Sequence, residues 1–393
     1  MWIKRDLLSV LRRTTAERPA VVVTGSRQVG KSSLLEHSFP DHRRIALDLP
    51  ALADEAESSG EQFLERYPPP VIIDEIQYAP RLLRHIKAAI DARRAESGLF
   101  LLTGSQKFAL MEGIAESLAG RVGIVEMHSL SLHEIETAQG RPLDRARVLD
   151  AIVTGGYPEI HARALEPQRF YADYVATYLE RDVRQALAVR NLRDFDRFLR
   201  LCALRSGQIL SHTSLAGDVG LAPNTIRSWM SVLEASGIVM LLPPYYRNLG
   251  KRLVKTPKLY FMDTGLCCFL AGIDSPETLA KSALLGPLWE TLVLGQLVRT
   301  LARAGRRPDV YFYRDYYGAE VDFVIPVGEK LRLYECKWAE SPPLRPRGFA
   351  ELERLLGQDG VVSRSILVPE RGHREVDGTI IEDCVEIHSL AKS

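Results

Sequence analysis

Several short apolar runs within the first 149 residues are each followed at once by polar residues. Such runs are typical of buried parallel strands, because helices cover both faces of a parallel sheet. Strands that alternate with helices and carry ligand-binding residues at their carboxyl ends predict a doubly wound α/β sheet. The predicted strands are Val21–Val23, Arg44–Leu49, Val71–Ile73, Leu99–Leu102 and a segment that begins at Gly123.

The first strand leads into Gly25-x-x-x-x-Gly30-Lys31-Ser32, the spacing of a phosphate-binding loop between a strand and a helix. Glycines let the backbone turn its N–H groups toward phosphates, and the helix N-terminus adds its dipole. Lys31 is expected to reach the β- and γ-phosphates, and the Ser32 hydroxyl is expected to hold Mg²⁺. The residues expected around the nucleotide are Gly25, Ser26, Arg27, Gln28, Val29, Gly30, Lys31, Ser32 and Ser33.

The strand Val71–Ile73 ends in two acidic residues, Asp74 and Glu75. Asp74 is predicted to join Ser32 in the Mg²⁺ shell, and Glu75 is predicted to polarise the attacking water. Paired acids favour hydrolysis over simple binding. A solvated strand end is the alternative, and the phosphate-binding loop makes it the weaker one.

Residues near the last two strands are candidates for contact with the γ-phosphate. Ser105 and Gln106 end the strand Leu99–Leu102 and are expected to sense that phosphate. Arg121 stands just before the last strand, where ring-forming ATPases project an arginine finger into the neighbouring subunit's site. A surface salt bridge is the equally weighted alternative for Arg121.

The segments GSRQVGKS, VIIDE, LLTGSQ and SLAGR, in this order, resemble the AAA+ superfamily of ATPases. They are most similar to a bacterial and archaeal group that carries a C-terminal domain of unknown function. GGYPE (Gly155–Glu159) and TYLERDV (Thr177–Val183) match the linker helices of that group. The resemblance implies ATP with Mg²⁺ as cofactors and a homo-oligomeric ring, with a hexamer as the first expectation.

Residues 150–210 have apolar positions three and four apart and predict a helical lid over the nucleotide. Three arginines of this region, Arg163, Arg181 and Arg184, are open candidates for trans or sensor arginines.

Residues 211–274 predict a winged helix. Two helices, Ser214–Val219 and Asn224–Ala235, are separated by a turn, and alternating apolar strands with a basic turn follow them. Asn224 or Thr225 is expected to cap the second helix. DNA contact, mostly through phosphates, is the favoured interpretation, and protein packing within a ring is the alternative. The expected DNA-binding residues are Arg227, Arg247, Lys251, Arg252, Lys255 and Lys258.

Residues 275–393 predict a further α/β domain. Alternation with period two places Glu320 and Asp322 on one face of a strand, and Glu335 and Lys337 on one face of the next strand. Glu290, an acid among apolar neighbours on a helix, is expected to approach them. Carboxylates with a lysine suit Mg²⁺-assisted cleavage of phosphodiesters.

This pattern resembles the PD-(D/E)xK nuclease fold. Asp322 matches its first acid, Glu335-Cys336-Lys337 its tripeptide and Glu290 its helix acid, whereas Val321 stands where that fold has a proline. An inert platform for DNA binding or structure is the open alternative, because strand ends are often charged.

Composition narrows the class of protein. The net charge of +1 means that any nucleic-acid surface is local. The five cysteines form no CxxC pair, which favours a reducing cytoplasm. The N-terminal segment does not have the pattern of a signal peptide, and no membrane association is expected because no apolar stretch of about 18 residues occurs.

These features together predict an ATP-driven, ring-forming motor that translocates on or remodels duplex or branched DNA. Mg²⁺-dependent nuclease activity is an open addition to that prediction. The alternative is a regulatory switch with an inert nuclease-like domain, and a defence nuclease licensed by the ATPase is a weaker third hypothesis.

Overall fold

The computed structural model describes residues 2–104, 114, 117–179, 192–245 and 254–391. The first part of the chain forms a five-stranded parallel sheet with the strand order β2-β3-β4-β1-β5. The strands are β1 (Ala20–Thr24), β2 (Arg43–Ala46), β3 (Val71–Asp74), β4 (Phe100–Gly104) and β5 (Val122–Glu126). The predicted parallel α/β sheet is therefore confirmed.

Helices cover both faces of this sheet. Successive residues of β1 point to opposite faces, so this strand contributes to a core on each side. Val22 packs in one core with α3, α4 and α5, whereas Val21 and Val23 pack in another with α1 and α2. The carboxyl ends of the parallel strands meet at one edge, where β1 leads directly into α2. The helices are α1 (Leu8–Glu17), α2 (Lys31–Ser38), α3 (Pro50–Ser58), α4 (Gly60–Arg66) and α5 (Leu82–Ala92).

A helical region follows the sheet. Its last helix buries Phe195, Phe198, Leu199 and Cys202, which is the apolar face that the sequence predicts. The helices are α6 (Leu132–Gln139), α7 (Arg145–Thr154), α8 (Pro158–Arg163), α9 (Pro167–Tyr174) and α10 (Leu192–Ala203), with a π-helical turn at Val175–Leu179.

The next part is a helix–turn–helix module, which we define as α11 (His212–Val219), α12 (Pro223–Ala235) and a small antiparallel sheet. That sheet has the order β6-β8-β7 and consists of β6 (Gln208–Ile209), β7 (Val239–Leu242) and β8 (Lys258–Phe261). The prediction that Asn224 or Thr225 caps the second helix is wrong. Ala222 is the N-cap residue and makes no side-chain cap, and Pro223 begins the helix at a position whose N–H would have no partner within the helix.

The C-terminal domain, defined as residues 285–391, contains a six-stranded mixed sheet with the order β13-β14-β12-β11-β10-β9. Its strands are β9 (Tyr311–Arg314), β10 (Glu320–Val327), β11 (Lys330–Cys336), β12 (Val361–Val368), β13 (His373–Val376) and β14 (Thr379–Asp383). The helices from here to the end are α13 (Thr264–Ala271), α14 (Pro276–Ala280), α15 (Leu285–Arg303), α16 (Arg347–Leu356) and α17 (His388–Ala391). Of these, α13 and α14 connect the helix–turn–helix module to the domain.

A buried carboxylate, Asp263, connects four parts of the chain. It accepts hydrogen bonds from the Ser129 hydroxyl (2.9 Å), the Gly156 amide (2.9 Å) and the Tyr171 hydroxyl (2.8 Å). Arg299 of α15 donates to the same Ser129 hydroxyl at 2.7 Å. These bonds hold the segment after β5, the helical region, the helix–turn–helix module and α15 against one another.

The same parts also share one hydrophobic core. It contains Val21 of β1, Phe195 of α10, Trp229 of α12, Trp289 of α15 and Tyr334 of β11. None of the helices in the described part of the chain is both long and apolar enough to cross a membrane.

Candidate functional site

The phosphate-binding loop joins β1 to α2, and two of its residues have backbone conformations that only glycine adopts easily. Gly25 has a φ of +142° and Gly30 a φ of +95°, values that side chains disfavour. A Cβ atom at Gly25 would lie 2.0 Å from the carbonyl oxygen of Met127. The loop therefore adopts its wrapped form because these two positions carry no side chain.

Lys31, the first residue of α2, turns back into the loop. Its ammonium group donates to the carbonyl oxygens of Gly25 (2.9 Å) and Ser26 (2.8 Å), and the residue is 5% exposed. Burial lowers the pKa of Lys31 to about 8, although the nearby Glu75 and Asp74 charges act in the opposite direction. The ammonium is thus held by two neutral acceptors that phosphate oxygens can replace.

A cleft of about 490 Å³ opens over the loop. Its volume is within the range of small-molecule sites, and it is wide enough for a nucleotide. Most of its walls come from the loop and from Glu75, and Pro158 and Glu159 of α8 close one side. The segment GGYPE therefore faces the same cleft as the phosphate-binding loop.

Asp74, at the end of β3, lies against the loop across the sheet edge. Its carboxylate accepts from Ser32 Oγ at 2.9 Å, from Arg44 at 2.7 Å and from the Thr103 hydroxyl. Burial disfavours its charge, but the hydrogen bonds from Thr103, Arg44 and Ser32 outweigh burial and lower the pKa of Asp74. An ionised carboxylate beside a hydroxyl is a hard oxygen pair, and this pair fits Mg²⁺.

Glu75 follows in a left-handed conformation, with a φ of +57°. Such a backbone is unfavourable for a residue with a side chain, and strained residues of this kind cluster at functional sites. The Glu75 amide donates to Thr103 Oγ1 at 3.1 Å, and the Gln77 amide group donates to the Glu75 carboxylate. Thr103 therefore binds both acids, and Glu75 lines the cleft beside Lys31.

Three side chains that sequence reasoning missed hold these acids: Thr103, Arg44 and Gln77. Thr103 is the one with a sequence signal, since it is a polar residue at the end of the apolar strand β4. Ser105 and Gln106, the predicted γ-phosphate sensors, lie outside the described residues.

Arg121 lies at the amino end of β5 and pairs with Asp91 of α5, with N–O distances of 2.9 and 3.1 Å. Because β5 runs parallel to β1, Arg121 is at the amino ends of the strands, whereas the phosphate-binding loop is at their carboxyl ends. The five residues of β1 separate the two ends by about 16 Å. Arg121 therefore does not reach the cleft of its own chain.

The helix–turn–helix module touches the phosphate-binding loop directly. Ser26 Oγ lies 3.4 Å from the carbonyl oxygen of Gly237, which follows α12. Arg227 of α12 and Lys255 before β8 are exposed, and Arg227 donates to the Asn224 side chain at 3.4 Å. The predicted DNA contacts Arg247, Lys251 and Arg252 lie outside the described residues.

The prediction that Lys258 is an exposed DNA contact is wrong. The residue is 2% exposed, and its ammonium lies 2.6 Å from Glu320 and 2.9 Å from Glu290. The Tyr260 hydroxyl also donates to Glu290. Burial disfavours the charge of Lys258, but the surrounding Glu290, Asp322 and Glu320 outweigh burial and raise its pKa.

The structure brings the other predicted residues of the C-terminal site close to these groups. Asp322 accepts from the Cys336 amide at 2.8 Å, and Lys337 donates to Glu335 at 2.8 Å. Burial and the neighbouring Glu290 and Glu335 charges raise the pKa of Asp322 well above its usual range. Burial likewise raises the pKa of Glu335, against the effect of Lys337.

This acidic cluster, defined as Glu290, Glu320, Asp322 and Glu335, is the site where the sequence predicts a divalent metal. Within the described ranges, no group of three His, Cys, Asp or Glu residues is placed to share a metal ion. Lys258 lies between Glu290 and Glu320, and Lys337 pairs with Glu335, so both lysines supply positive charge to the cluster.

Family models match three consecutive stretches of the chain. An AAA domain matches residues 17–136, a domain of unknown function (DUF8612) residues 145–277, and another (DUF4143) residues 285–384. The first stretch contains the whole nucleotide cleft except the residues contributed by the N-terminus and α8.

Two mycobacterial proteins are similar over most of the chain. They are the uncharacterized proteins Rv2008c of Mycobacterium tuberculosis (strain H37Rv) and Mb2031c of Mycobacterium bovis (strain AF2122/97). Each is 33% identical over 352 residues, which is 87% of this chain and 75% of the relative.

Among solved structures, the chain is similar to the Thermotoga maritima RuvB Holliday junction branch migration motor. The TM-score is 0.32 at 16% identity, over 61% of this chain and 90% of that chain. AMPPCP-bound DnaA from Aquifex aeolicus gives a TM-score of 0.31 at 14% identity, over 58% and 85% of the two chains. Neither likeness is close enough to transfer an activity.

Proposed function

Because the chain belongs to the family of these two mycobacterial proteins and carries an AAA domain, we propose that it hydrolyses ATP to move along or remodel DNA. The proposal is carried by one cleft that Lys31, Ser32 and Glu75 line, with Asp74 hydrogen-bonded to Ser32 at its wall. A strand-derived carboxylate next to a phosphate-binding loop suits hydrolysis of a nucleoside triphosphate.

The residues of the cleft have separate roles in this proposal. Lys31 exchanges its two backbone acceptors for phosphate oxygens, and the N–H groups of the loop bind the same phosphates. Ser32 and Asp74 would hold Mg²⁺, which neutralises charge on the phosphates when bound. Glu75 orients the attacking water and accepts its proton, with Thr103 and Gln77 fixing its position.

The link to DNA rests on the helix–turn–helix module, which we interpret as a winged helix. Its second helix presents Arg227 to solvent, and Lys255 is exposed on the approach to β8. Exposed cations of this kind bind DNA phosphates without reading sequence. Through the contact between Ser26 and Gly237, binding of a nucleotide to the loop can affect the position of this surface.

A ring is proposed from the position of Arg121. This arginine precedes the edge strand β5 and is too distant from its own cleft to contact a nucleotide there. In a ring, the edge strand β5 would face the neighbouring subunit. There the Arg121 guanidinium can stabilise charge on the γ-phosphate of the nucleotide bound to that subunit. Binding in trans would require Arg121 to leave Asp91. A hexamer is the first expectation for the size of that ring.

The second candidate is an ATP-dependent regulatory switch. It is favoured by the buried Lys258 in the acidic cluster, because an ammonium group between Glu290 and Glu320 repels the metal ion that cleavage of DNA would need there. In that case the helix–turn–helix module contacts proteins instead of DNA.

The test is ATP turnover with and without end-labelled duplexes and four-way junctions, with Lys31→Ala in parallel. A DNA motor shows hydrolysis that DNA stimulates, strand displacement that needs ATP, and loss of both in Lys31→Ala. Binding of DNA should also weaken steeply with salt. An ATP hydrolysis rate that DNA does not change, together with no salt-sensitive binding of DNA, would favour the regulatory switch.

A further inference from the structure

We propose that the acidic cluster of the C-terminal domain is a salt-bridge latch built around the buried ammonium group of Lys258, and that it neither binds a divalent metal nor cleaves DNA. The acidic cluster lies outside the cleft over the phosphate-binding loop, and its contacts do not depend on whether the ATPase acts on DNA.

Lys258 occupies the position that a metal ion bridging Glu290 and Glu320 would need. Its ammonium is in direct contact with Glu320 and Glu290, at 2.6 and 2.9 Å. A divalent ion at these carboxylates would lie beside an ammonium group in a buried site, where repulsion between like charges is weakly screened. Binding of a metal therefore requires Lys258 to leave.

The position of Lys258 opposes such a departure. The residue belongs to β8, the middle strand of its sheet, and pairs with Leu242 on one side and Ile209 on the other. Its side chain is 3% exposed, so a rotamer change does not bring the ammonium to water. The cation is a fixed part of the cluster.

The remaining carboxylate oxygens are mostly engaged. Asp322 Oδ2 accepts from the Cys336 amide, Glu335 Oε1 accepts from Lys337, and Glu290 Oε1 accepts from Tyr260 as well as Lys258. Among the described residues of the cluster, the second oxygen of Glu335 is buried without a hydrogen-bond partner. A divalent cation such as Mg²⁺ would therefore have to displace several of these donors to complete its shell of about six oxygen ligands.

The latch connects two modules. Lys258 comes from the sheet of the helix–turn–helix module, whereas Glu290 lies on α15 and Glu320 on β10 of the C-terminal domain. Removing one partner of a buried ion pair leaves the other charge uncompensated, which is strongly destabilising. The buried ion pairs of Lys258 therefore join the module to the C-terminal sheet.

The experiment measures binding of Mn²⁺ from the EPR signal of the free ion, using the full-length chain with Asp74→Asn to remove the metal position at the ATP cleft. We expect no stoichiometric Mn²⁺ binding by this protein. Adding Lys258→Met should create one Mn²⁺ site, and a further Asp322→Asn should remove it. Lys255→Met, which changes an exposed lysine three positions earlier, should create none.

One stoichiometric Mn²⁺ in the Asp74→Asn protein that disappears with Asp322→Asn would overturn the proposal. So would a folded Lys258→Met protein that gains no Mn²⁺, because Lys258 would then not be what excludes the metal. If Lys258→Met does not fold, comparing Asp74→Asn with Asp74→Asn/Asp322→Asn decides the question alone. Nicking of supercoiled plasmid in Mn²⁺ should likewise be the same for wild type and Asp322→Asn, and activity confined to wild type would contradict the inference.

Discussion

The Ser26 hydroxyl of the phosphate-binding loop lies 3.4 Å from the carbonyl oxygen of Gly237, 211 positions further along the chain. Gly237 has a φ of +68° and follows the second helix of the helix–turn–helix module. A loop that rearranges around phosphates is thereby in contact with the element proposed to bind DNA.

Substitution of Gly237 with alanine should weaken the coupling between DNA and ATP hydrolysis. The left-handed backbone would disfavour alanine by about 1 kcal/mol, and relaxation of that strain would move the Gly237 carbonyl oxygen that accepts from Ser26. The new Cβ itself would make only an ordinary contact with Ser26 Oγ, at 3.4 Å. We expect basal ATP turnover to persist and its stimulation by DNA to fall about fivefold, at the low end of typical coupling between sites. Turnover measured with and without duplex DNA checks this.

Gly220→Ala is the matched control for this variant. Gly220 has a similar φ of +84° after α11, but a Cβ there would meet nothing within 4 Å. It should therefore retain DNA stimulation. Equal losses in both variants would show that backbone strain in the module, and not the contact with Ser26, causes the effect.

Thr103→Val should slow hydrolysis without abolishing ATP binding. Thr103 is fully buried, and its hydroxyl donates to Asp74 and accepts from the Glu75 amide. Valine keeps the volume but releases both acids, so we expect kcat to fall about tenfold or more, in proportion to one or two lost hydrogen bonds. Steady-state kinetics should show KM within a few-fold of wild type. Thr103→Ser restores the hydroxyl and should restore kcat; failure to do so would assign Thr103 a packing role.

Binding of ATP should become coupled to proton uptake above pH 8. Burial lowers the pKa of Lys31 to about 8, so its amine is charged below that pH and increasingly neutral above it. A bound triphosphate favours the ammonium, and the affinity should therefore fall as pH rises from 8 toward 10. Calorimetry of ATP binding to Glu75→Gln, at pH 8.5 in buffers of different ionisation heat, measures the uptake. Lys31→Met should show none, and an affinity that stays constant from pH 7.5 to 9.5 would contradict the expectation.

Arg121 and Glu75 should complement each other in mixed assemblies. Glu75→Gln should lower turnover at least about 100-fold through loss of the general base. Arg121→Ala should also lower turnover while leaving ATP binding intact. If Arg121 acts in trans, mixing the two inactive variants creates interfaces with both groups intact, and activity returns. No recovery on mixing would leave Arg121 with only its ion pair to Asp91.

Asp263→Asn should destabilise the whole chain. The carboxylate accepts from Ser129, Gly156 and Tyr171, and an amide group in its place turns one acceptor atom into a donor facing other donors. Leaving buried donors unsatisfied lowers the free energy of unfolding by about 2 kcal/mol. Urea denaturation should show a lower midpoint, whereas the exposed Asp274→Asn should match wild type. Equal midpoints for all three proteins would mean that the network contributes little.

The sequence alone was enough to predict the phosphate-binding loop and the acids Asp74 and Glu75. Their chemistry is local, because consecutive residues form the loop, and a buried apolar run must deliver whatever follows it to the sheet edge. The parallel sheet followed from the same runs. The alternation of acids along β10 and β11 likewise brought Asp322 and Glu335 together before the packing was known.

Tertiary structure decided the environment of Lys258 and the neighbours of Gly237. In the sequence, Lys258 stands among basic residues that favour a solvated edge. Its burial depends on Glu290 and Glu320, which are 32 and 62 positions away and become neighbours only when α15 and β10 pack on β8. The contact of Gly237 with Ser26 likewise depends on how two modules pack, a property that neither segment encodes by itself.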